Sequence, residues 1–157
     1  MQTPESLELV ARFHTLFGAP ILSTPQIPNV DRAKLRISLL QEELDEFKQA
    51  IEDNNIVEIA DALADIQYVL SGAILEFGLG DAFFKIFHEV QRSNMSKACA
   101  TKEEAEQTIA YYKMQKETDA YSVQQWNQYL VHRKEDDKVL KSINYSPADI
   151  KGILEWL

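Results

Sequence analysis

Nine acidic side chains fall between Glu42 and Asp65 (Glu42, Glu43, Asp45, Glu46, Glu52, Asp53, Glu58, Asp61 and Asp65), against a single base, Lys48. The formal net charge of the whole chain is −9, so this one window holds nearly all of it. Successive helical residues turn by about 100°, which places Glu42, Glu43 and Glu46 within an arc of about 100°. Glu58, Asp61 and Asp65, separated by three and then four residues, share an arc of about 60° on a following helix. An antiparallel hairpin turns these two stripes toward each other, and six carboxylates in one groove repel strongly unless a cation lies among them.

The donor set selects the cation. Mg²⁺, with Mn²⁺ as the alternative, favours oxygen ligands, and the absence of His and Cys from the window disfavours Zn²⁺. Divalent ions so held can take a triphosphate as further ligand and lower the pKa of an attacking water, while a carboxylate not used in ligation orients that water as general base. Glu52, Asp53 and Asp45 read instead as a solvated helix face, the ordinary fate of a charge run. Asp61 and Asp65 resist that reading because they interrupt an otherwise apolar helix, where burial without partners is costly. A second group, Arg92, Asn94 and Lys97 in the run RSNMSK, combines two cations with polar side chains suited to phosphate or sugar oxygens. A capped helix end with two solvated bases accounts for that run equally well.

The elements that position these residues are mostly helical. Five Gly and five Pro in 157 residues disfavour a turn-rich β fold. The first helix is expected from about Pro4 to Phe17, ended by Gly18, with a proline-containing loop after it. A long helix capped by Asn29 or Asp31 then runs to about Asp53. After the turn Asp53-Asn54-Asn55, a helix over Ile56 to Phe77 returns beside it. That helix is apolar nearly all round, so it is expected to be buried on every side, at a subunit interface as well as in an internal core. A shorter helix is expected from Ala82 to about Ser93, and another from a Thr101 cap with Glu104 at the capping-box position to about Met114. Tyr121 to Gln125, Tyr129 to Lys134 and Val139 to Ser142 read as strands, turning at Trp126-Asn127 and Asp136-Asp137. Ser146-Pro147 is expected to open a last helix reaching Leu157. The fold class is thus mainly all-α, a helical bundle on an acidic hairpin with a small C-terminal β-hairpin. It divides at residues 1–100 and 101–157, the second part an extension packed on the same domain.

Composition narrows the function classes. The acidic balance argues against duplex nucleic acid as a partner. The longest apolar stretch, from Ile66 to Phe77, is too short and too polar for a membrane span. MQTPESLELVARFH lacks the pattern of a secretory signal, and a lone Cys99 fits a reducing, cytoplasmic setting.

The run EELDE, Glu42 to Glu46, together with Glu58-Ile59-Ala60-Asp61, resembles the two halves of the E-E-x-x-E and E-x-x-D signature of the all-α nucleoside triphosphate pyrophosphohydrolases. This MazG-like superfamily includes phosphoribosyl-ATP pyrophosphohydrolase and the dimeric dUTPases. HEVQRSNMSK is similar to a segment that follows the core hairpin in MazG-like members. The resemblance covers roughly residues 5–100 and, weakly, YSPADIKGILEWL. It implies conversion of a nucleoside triphosphate and water to a monophosphate and pyrophosphate, with Mg²⁺ assisting. It also implies Glu43 and Glu46 as metal ligands, Glu42 as an outer group or water-orienting base, and Asn94 and Lys97 as substrate contacts. In one respect the chain departs from the family. The apolar-apolar-aromatic context that follows the family aspartate belongs here to Asp65-Ile66-Gln67-Tyr68, which leaves Ala62 at the family glutamate position. The second-helix ligands are then either Glu58 with Asp61 or Asp61 with Asp65; the latter keeps the apolar context, with Glu58 as an outer ligand.

The expectation is a pyrophosphohydrolase that clears non-standard or excess nucleotides, working as a homodimer or homotetramer. Phosphoribosyl-ATP hydrolysis is the alternative. A non-catalytic helical protein holding metal or nucleotide is the third, with residues 121–142 serving a partner; the stronger reading of that hairpin is a lid or edge covering the dimer core.

Overall fold

A computed structural model describes residues 5–155. Three helices, α1 (Ser6–Phe17), α2 (Val30–Glu52) and α3 (Ile56–Glu76), form one compact unit up to Phe84. A second unit starts at Lys85 and contains most of α4 (Phe83–Met95), α5 (Lys102–Lys116), the strands β1 (Ala120–Gln125), β2 (Gln128–Arg133) and β3 (Val139–Leu140), and α6 (Ile150–Leu154). The mainly helical class with a small antiparallel sheet is as the sequence indicates. Among the described residues no helix is long and apolar enough to cross a membrane.

In the first unit α2 and α3 make the most extensive pairing, and α1 packs on α3. Asn29 caps α2 by accepting from Arg32 N at 3.0 Å, and Asn55 caps α3 by accepting from Val57 N at 3.1 Å. Between the helices Asn54 takes φ 51°, a conformation that asparagine tolerates better than most residues. The three-residue turn fixes the register: residues equally far from it lie opposite each other. Arg36 and Gly72 are such a pair, and so are Arg32 and Glu76.

Glu76 is fully buried and is held by both arginines; Arg32 Nε donates to its Oε2 at 3.1 Å, and Arg36 Nη2 donates to Oε1. Arg36 Nη2 also meets His14 Nε2 at 3.2 Å, and His14 Nδ1 lies 2.9 Å from the Pro20 carbonyl. Gly72 makes room for this cluster, because a Cβ there would sit 2.6 Å from Arg36 Nη1 and 3.0 Å from His14 Nε2. The proline-containing loop closes on the end of α3 through Leu22 N to Leu75 O and Gln26 N to Phe77 O, at 3.0 and 3.1 Å. Gly78 (φ 68°) is required there, since a Cβ would fall 1.9 Å from the Thr24 carbonyl oxygen.

The second unit is built round Cys99, Ala105, Val131 and Leu140, with Ile109, Tyr112 and Tyr129 against them. Its strands run antiparallel in the order β1-β2-β3, with α5 packed on β1 and β2. Thr101 caps α5 through Glu104 N, and Glu104 returns a bond to Ala100 N, which realises the expected capping pattern one residue early.

Two expectations are corrected. The last helix starts at Ile150 rather than Ser146, because Asp149 caps it through Gly152 N at 2.8 Å while the Pro147 carbonyl is taken by Arg92 Nη2 at 3.0 Å. The expected endpoint Leu157, like Pro4 in the first helix, lies outside the described residues. Within the single chain α3 is not buried on every side: Ile56, Val57 and Leu63 are exposed, because only α1 and α2 cover it within its unit.

Burial raises the Glu76 carboxyl, but the hydrogen bonds and charges of Arg32 and Arg36 outweigh it and hold the group below the usual carboxylate range. A carboxyl lowered in the fold contributes stability that is present above its unfolded value and lost as pH falls through the folded one. Glu76→Gln is therefore expected to cost about 3 kcal/mol in urea unfolding near neutrality, a difference that shrinks as the pH is lowered below the carboxylate range. A variant as stable as the parent at neutral pH would contradict this role.

Candidate functional site

The register that pairs Arg36 with Gly72 also sets Glu43 opposite Asp65, each ten residues from the turn at 53–55. Glu43 and Asp65 are half-buried, while Glu42, Glu46, Glu58 and Asp61 are exposed. The expectation that Asp61 and Asp65 are both buried thus holds only for Asp65, and there in part, because the acidic stretch of α2–α3 opens to solvent.

Electrostatics shows which carboxylates act on one another. Partial burial and then the negative charges of Asp65, Glu46, Glu42 and Asp61 push the Glu43 carboxyl above its usual range. Contributions come from both helices, two from α2 and two from α3. Glu58 is not among them; it sits in the first turn of α3, where its own N–H faces the Asn55 cap. Among the described residues none of these six carboxylates has a Lys or Arg partner. Lys48 instead approaches Glu52 at 4.0 Å, and Asp45 and Asp53 accept from Gln41 and Gln49 one helical turn away. These three acids behave as the solvated face they resembled in sequence.

Among the described residues no three His, Cys, Asp or Glu side chains already converge on one metal-sized point. The carboxylates are arrayed along two facing helices, all-oxygen and uncompensated, and that chemistry fits a hard divalent cation. Lys34, Ile37, Ser38, Gln41, Glu42 and Asp45 line an open depression on α2, so Glu42 opens to solvent there, while its charge also acts on Glu43.

Arg92, Asn94 and Lys97 belong to the second unit. Lys97 Nζ donates to Asn94 Oδ1 at 2.7 Å, and these two line a cavity together with the β1–β2 turn. Arg92 faces elsewhere: its Nε and Nη2 bond Glu89 at 2.8 and 2.7 Å, and Nη2 also reaches the Pro147 carbonyl. With the Arg92 guanidinium and the Asp149 N–H donating to it, the Glu89 carboxyl falls to about 2. The sequence reading passed over Arg32, Arg36 and Glu76. Glu76 looked like one polar break in an apolar stretch, and the available signal was its equal distance from the turn with Arg32.

A carboxyl raised in the fold costs stability once ionised, and the cost sets in as pH rises through that raised range. Glu43→Gln is accordingly expected to be at least as thermally stable as the parent in EDTA at neutral pH. It is also expected to lose most of the rise in Tm that millimolar Mg²⁺ gives the parent. An equal Mg²⁺-dependent rise in both proteins would count against a cation among these groups.

An uncharacterised protein of Acanthamoeba polyphaga mimivirus is similar along nearly its whole length, 22% identical with 94% of this chain and 95% of that one aligned. Residues 10–94, more than half of the chain and spanning the whole acidic hairpin, match the phosphoribosyl-ATP pyrophosphohydrolase family. The chain therefore belongs to that family and is a hydrolase acting on acid anhydrides, a nucleotide pyrophosphohydrolase by type.

Proposed function

We propose that the protein is a Mg²⁺-dependent nucleoside triphosphate pyrophosphohydrolase that removes non-standard or excess nucleotides, with Mn²⁺ able to replace Mg²⁺. The observation that carries this reading is the register that sets Glu43 opposite Asp65, where partial burial and then the charges of Asp65, Glu46, Glu42 and Asp61 raise the Glu43 carboxyl. Glu43, Glu46, Asp61 and Asp65 are the proposed ligands. The absence of Glu58 from the charges acting on Glu43 supports the Asp61 and Asp65 alternative, and leaves Glu58 an outer position. A bound divalent cation would supply neutralisation of the triphosphate and polarisation at the α-phosphorus.

In this reading the chain's own groups bind, orient and move the proton. Glu42, exposed and adjacent to the ligand set, accepts a proton from water as the water oxygen bonds the α-phosphorus. The bridging bond between the α- and β-phosphates breaks, and pyrophosphate leaves with the electron pair. Asn94 and Lys97 are proposed substrate contacts. Arg92, outside the cavity that Asn94 and Lys97 line, is a further proposed contact through Nη1, which takes no part in its bonds to Glu89 and Pro147. Residues 1–100 are the proposed catalytic core and 101–157 its extension. Exposed Ile56, Val57 and Leu63 on α3, with Ile37 on α2, support a homodimer or homotetramer, and lone Cys99 supports a cytoplasmic setting.

The second reading is pyrophosphate release from phosphoribosyl-ATP, favoured by the family match itself. The small sheet after residue 94 lies beyond the matched segment and supports the broader nucleotide reading.

A panel of ribo- and deoxynucleoside triphosphates alongside phosphoribosyl-ATP, assayed for pyrophosphate with and without Mg²⁺, distinguishes them. At least one triphosphate is expected to yield pyrophosphate and monophosphate at a higher kcat/KM than phosphoribosyl-ATP. Glu42→Gln should lower kcat by about 100-fold or more with KM little changed, and Glu46→Gln should be inactive with its fold intact. Turnover of phosphoribosyl-ATP alone would overturn the first reading in favour of the second.

A further inference from the structure

The sheet of the second unit ends on one side in an open strand. β1 pairs with β2 one to one along its whole length, without a bulge, and α5 packs on both strands. Neighbouring bonds fix the direction of the backbone groups. Tyr129 exchanges both of its bonds with Cys99, at 2.8 and 2.9 Å, and Arg133 N donates to the Lys138 carbonyl at 2.9 Å. Val131 pairs with Leu140. These three residues of β2 therefore turn their N–H and C=O groups away from β1, and residues directly opposite in an antiparallel pair turn theirs apart likewise. Their partners are Gln124, Ala120 and Ser122, whose backbone groups thus point outward from the sheet. Among the described residues no backbone bond answers them.

Open edges of this kind are ordinarily blunted by a charge, a proline or a bulge. This one has none of the three. From Ala120 to Asn127 there is no Asp, Glu, Lys, Arg or Pro, in a chain where 26% of residues are charged. Tyr121 and Val123 are half-exposed on it, and Trp126 at its end is 91% exposed. A net charge of −9 sets copies of the chain against each other, and this neutral strand lets two of them meet without like charges face to face.

We propose that β1 pairs antiparallel with β1 of a second copy, about a two-fold axis at Val123. Ser122 and Gln124 then exchange backbone bonds with Gln124 and Ser122 of the second copy, and the two sheets become one. Val123 meets Val123 at the non-hydrogen-bonded spacing, where cross-strand side chains lie closest. Tyr121 falls opposite Gln125 and Asp119 opposite Asn127, so no charge meets its like. Trp126 comes beside Ala120, whose small side chain leaves room for the indole. The contact uses the second unit alone and is separate from the helical faces proposed above for a homo-oligomer.

The test is assembly of the full chain, followed by sedimentation velocity over a range of concentrations. Val123→Lys and Val123→Glu each set like charges across the axis, and each should weaken assembly about tenfold or more. Their equimolar mixture should recover it. Ser122→Pro removes an outward N–H that β2 does not use, so it should keep the circular dichroism spectrum and lose the same assembly step. Splitting of a dimer, or halving of a tetramer, supports the pairing. A parent that is monomeric throughout overturns this proposal together with the helical homo-oligomer. Assembly unchanged in the variants, or no recovery in the mixture, overturns this pairing and leaves the helical faces standing.

Discussion

The α2–α3 hairpin carries like and unlike charges in one antiparallel register, and how each is compensated governs the rest of the first unit. Far from the turn, Arg32 and Arg36 meet Glu76, and burial in low dielectric makes that pairing obligatory. Nearer the turn, Glu43 faces Asp65 with Glu42, Glu46 and Asp61 close by, and among the described residues no Lys or Arg pairs with them. The same three-residue turn sets both arrangements. A slip in register would separate Glu76 from its arginines and Gly72 from Arg36 as surely as it would disperse the carboxylates.

This coupling gives the acidic groove a rigid support. Glu76 is locked by two guanidiniums, Arg36 is braced by His14, and His14 is tied to the loop through Pro20. Gly78 lets that loop lie against the end of α3. Carboxylates that repel one another would otherwise push the helices apart, and the ion pairs at the far end oppose that separation. The placing of the acidic stretch therefore depends on residues that do not pair with those acids themselves. The second unit follows a different logic: a small apolar core around Cys99 and Val131 holds a sheet whose first turn carries an exposed indole.

Much of this was legible in the sequence. The long helices, the turn at 53–55, the Asn and Thr caps and the strand turns all follow from local signals: hydrophobic period, cap side chains and short polar breaks. The carboxylate stripes follow from helical geometry, and the solvated fate of Asp45, Glu52 and Asp53 from their position on the outer face. The buried Arg32–Arg36–Glu76–His14 cluster was not legible, because pairing across forty residues depends on register rather than on local pattern. Nor was the exposure of Asp61, since an apolar sequence around an acid does not reveal which neighbour covers it. The late start of α6 turned on Arg92 capturing a distant carbonyl, again a tertiary contact overriding a good local signal.

In the proposed function, carboxylates of both helices hold divalent cation. A Mn²⁺ titration followed by the electron paramagnetic resonance of the free ion tests it directly, on the parent, Asp65→Asn and Glu58→Gln. The expected result is a loss of affinity of about tenfold or more in Asp65→Asn and little change in Glu58→Gln. Equal binding by the parent and Asp65→Asn, or no binding by the parent, would contradict it.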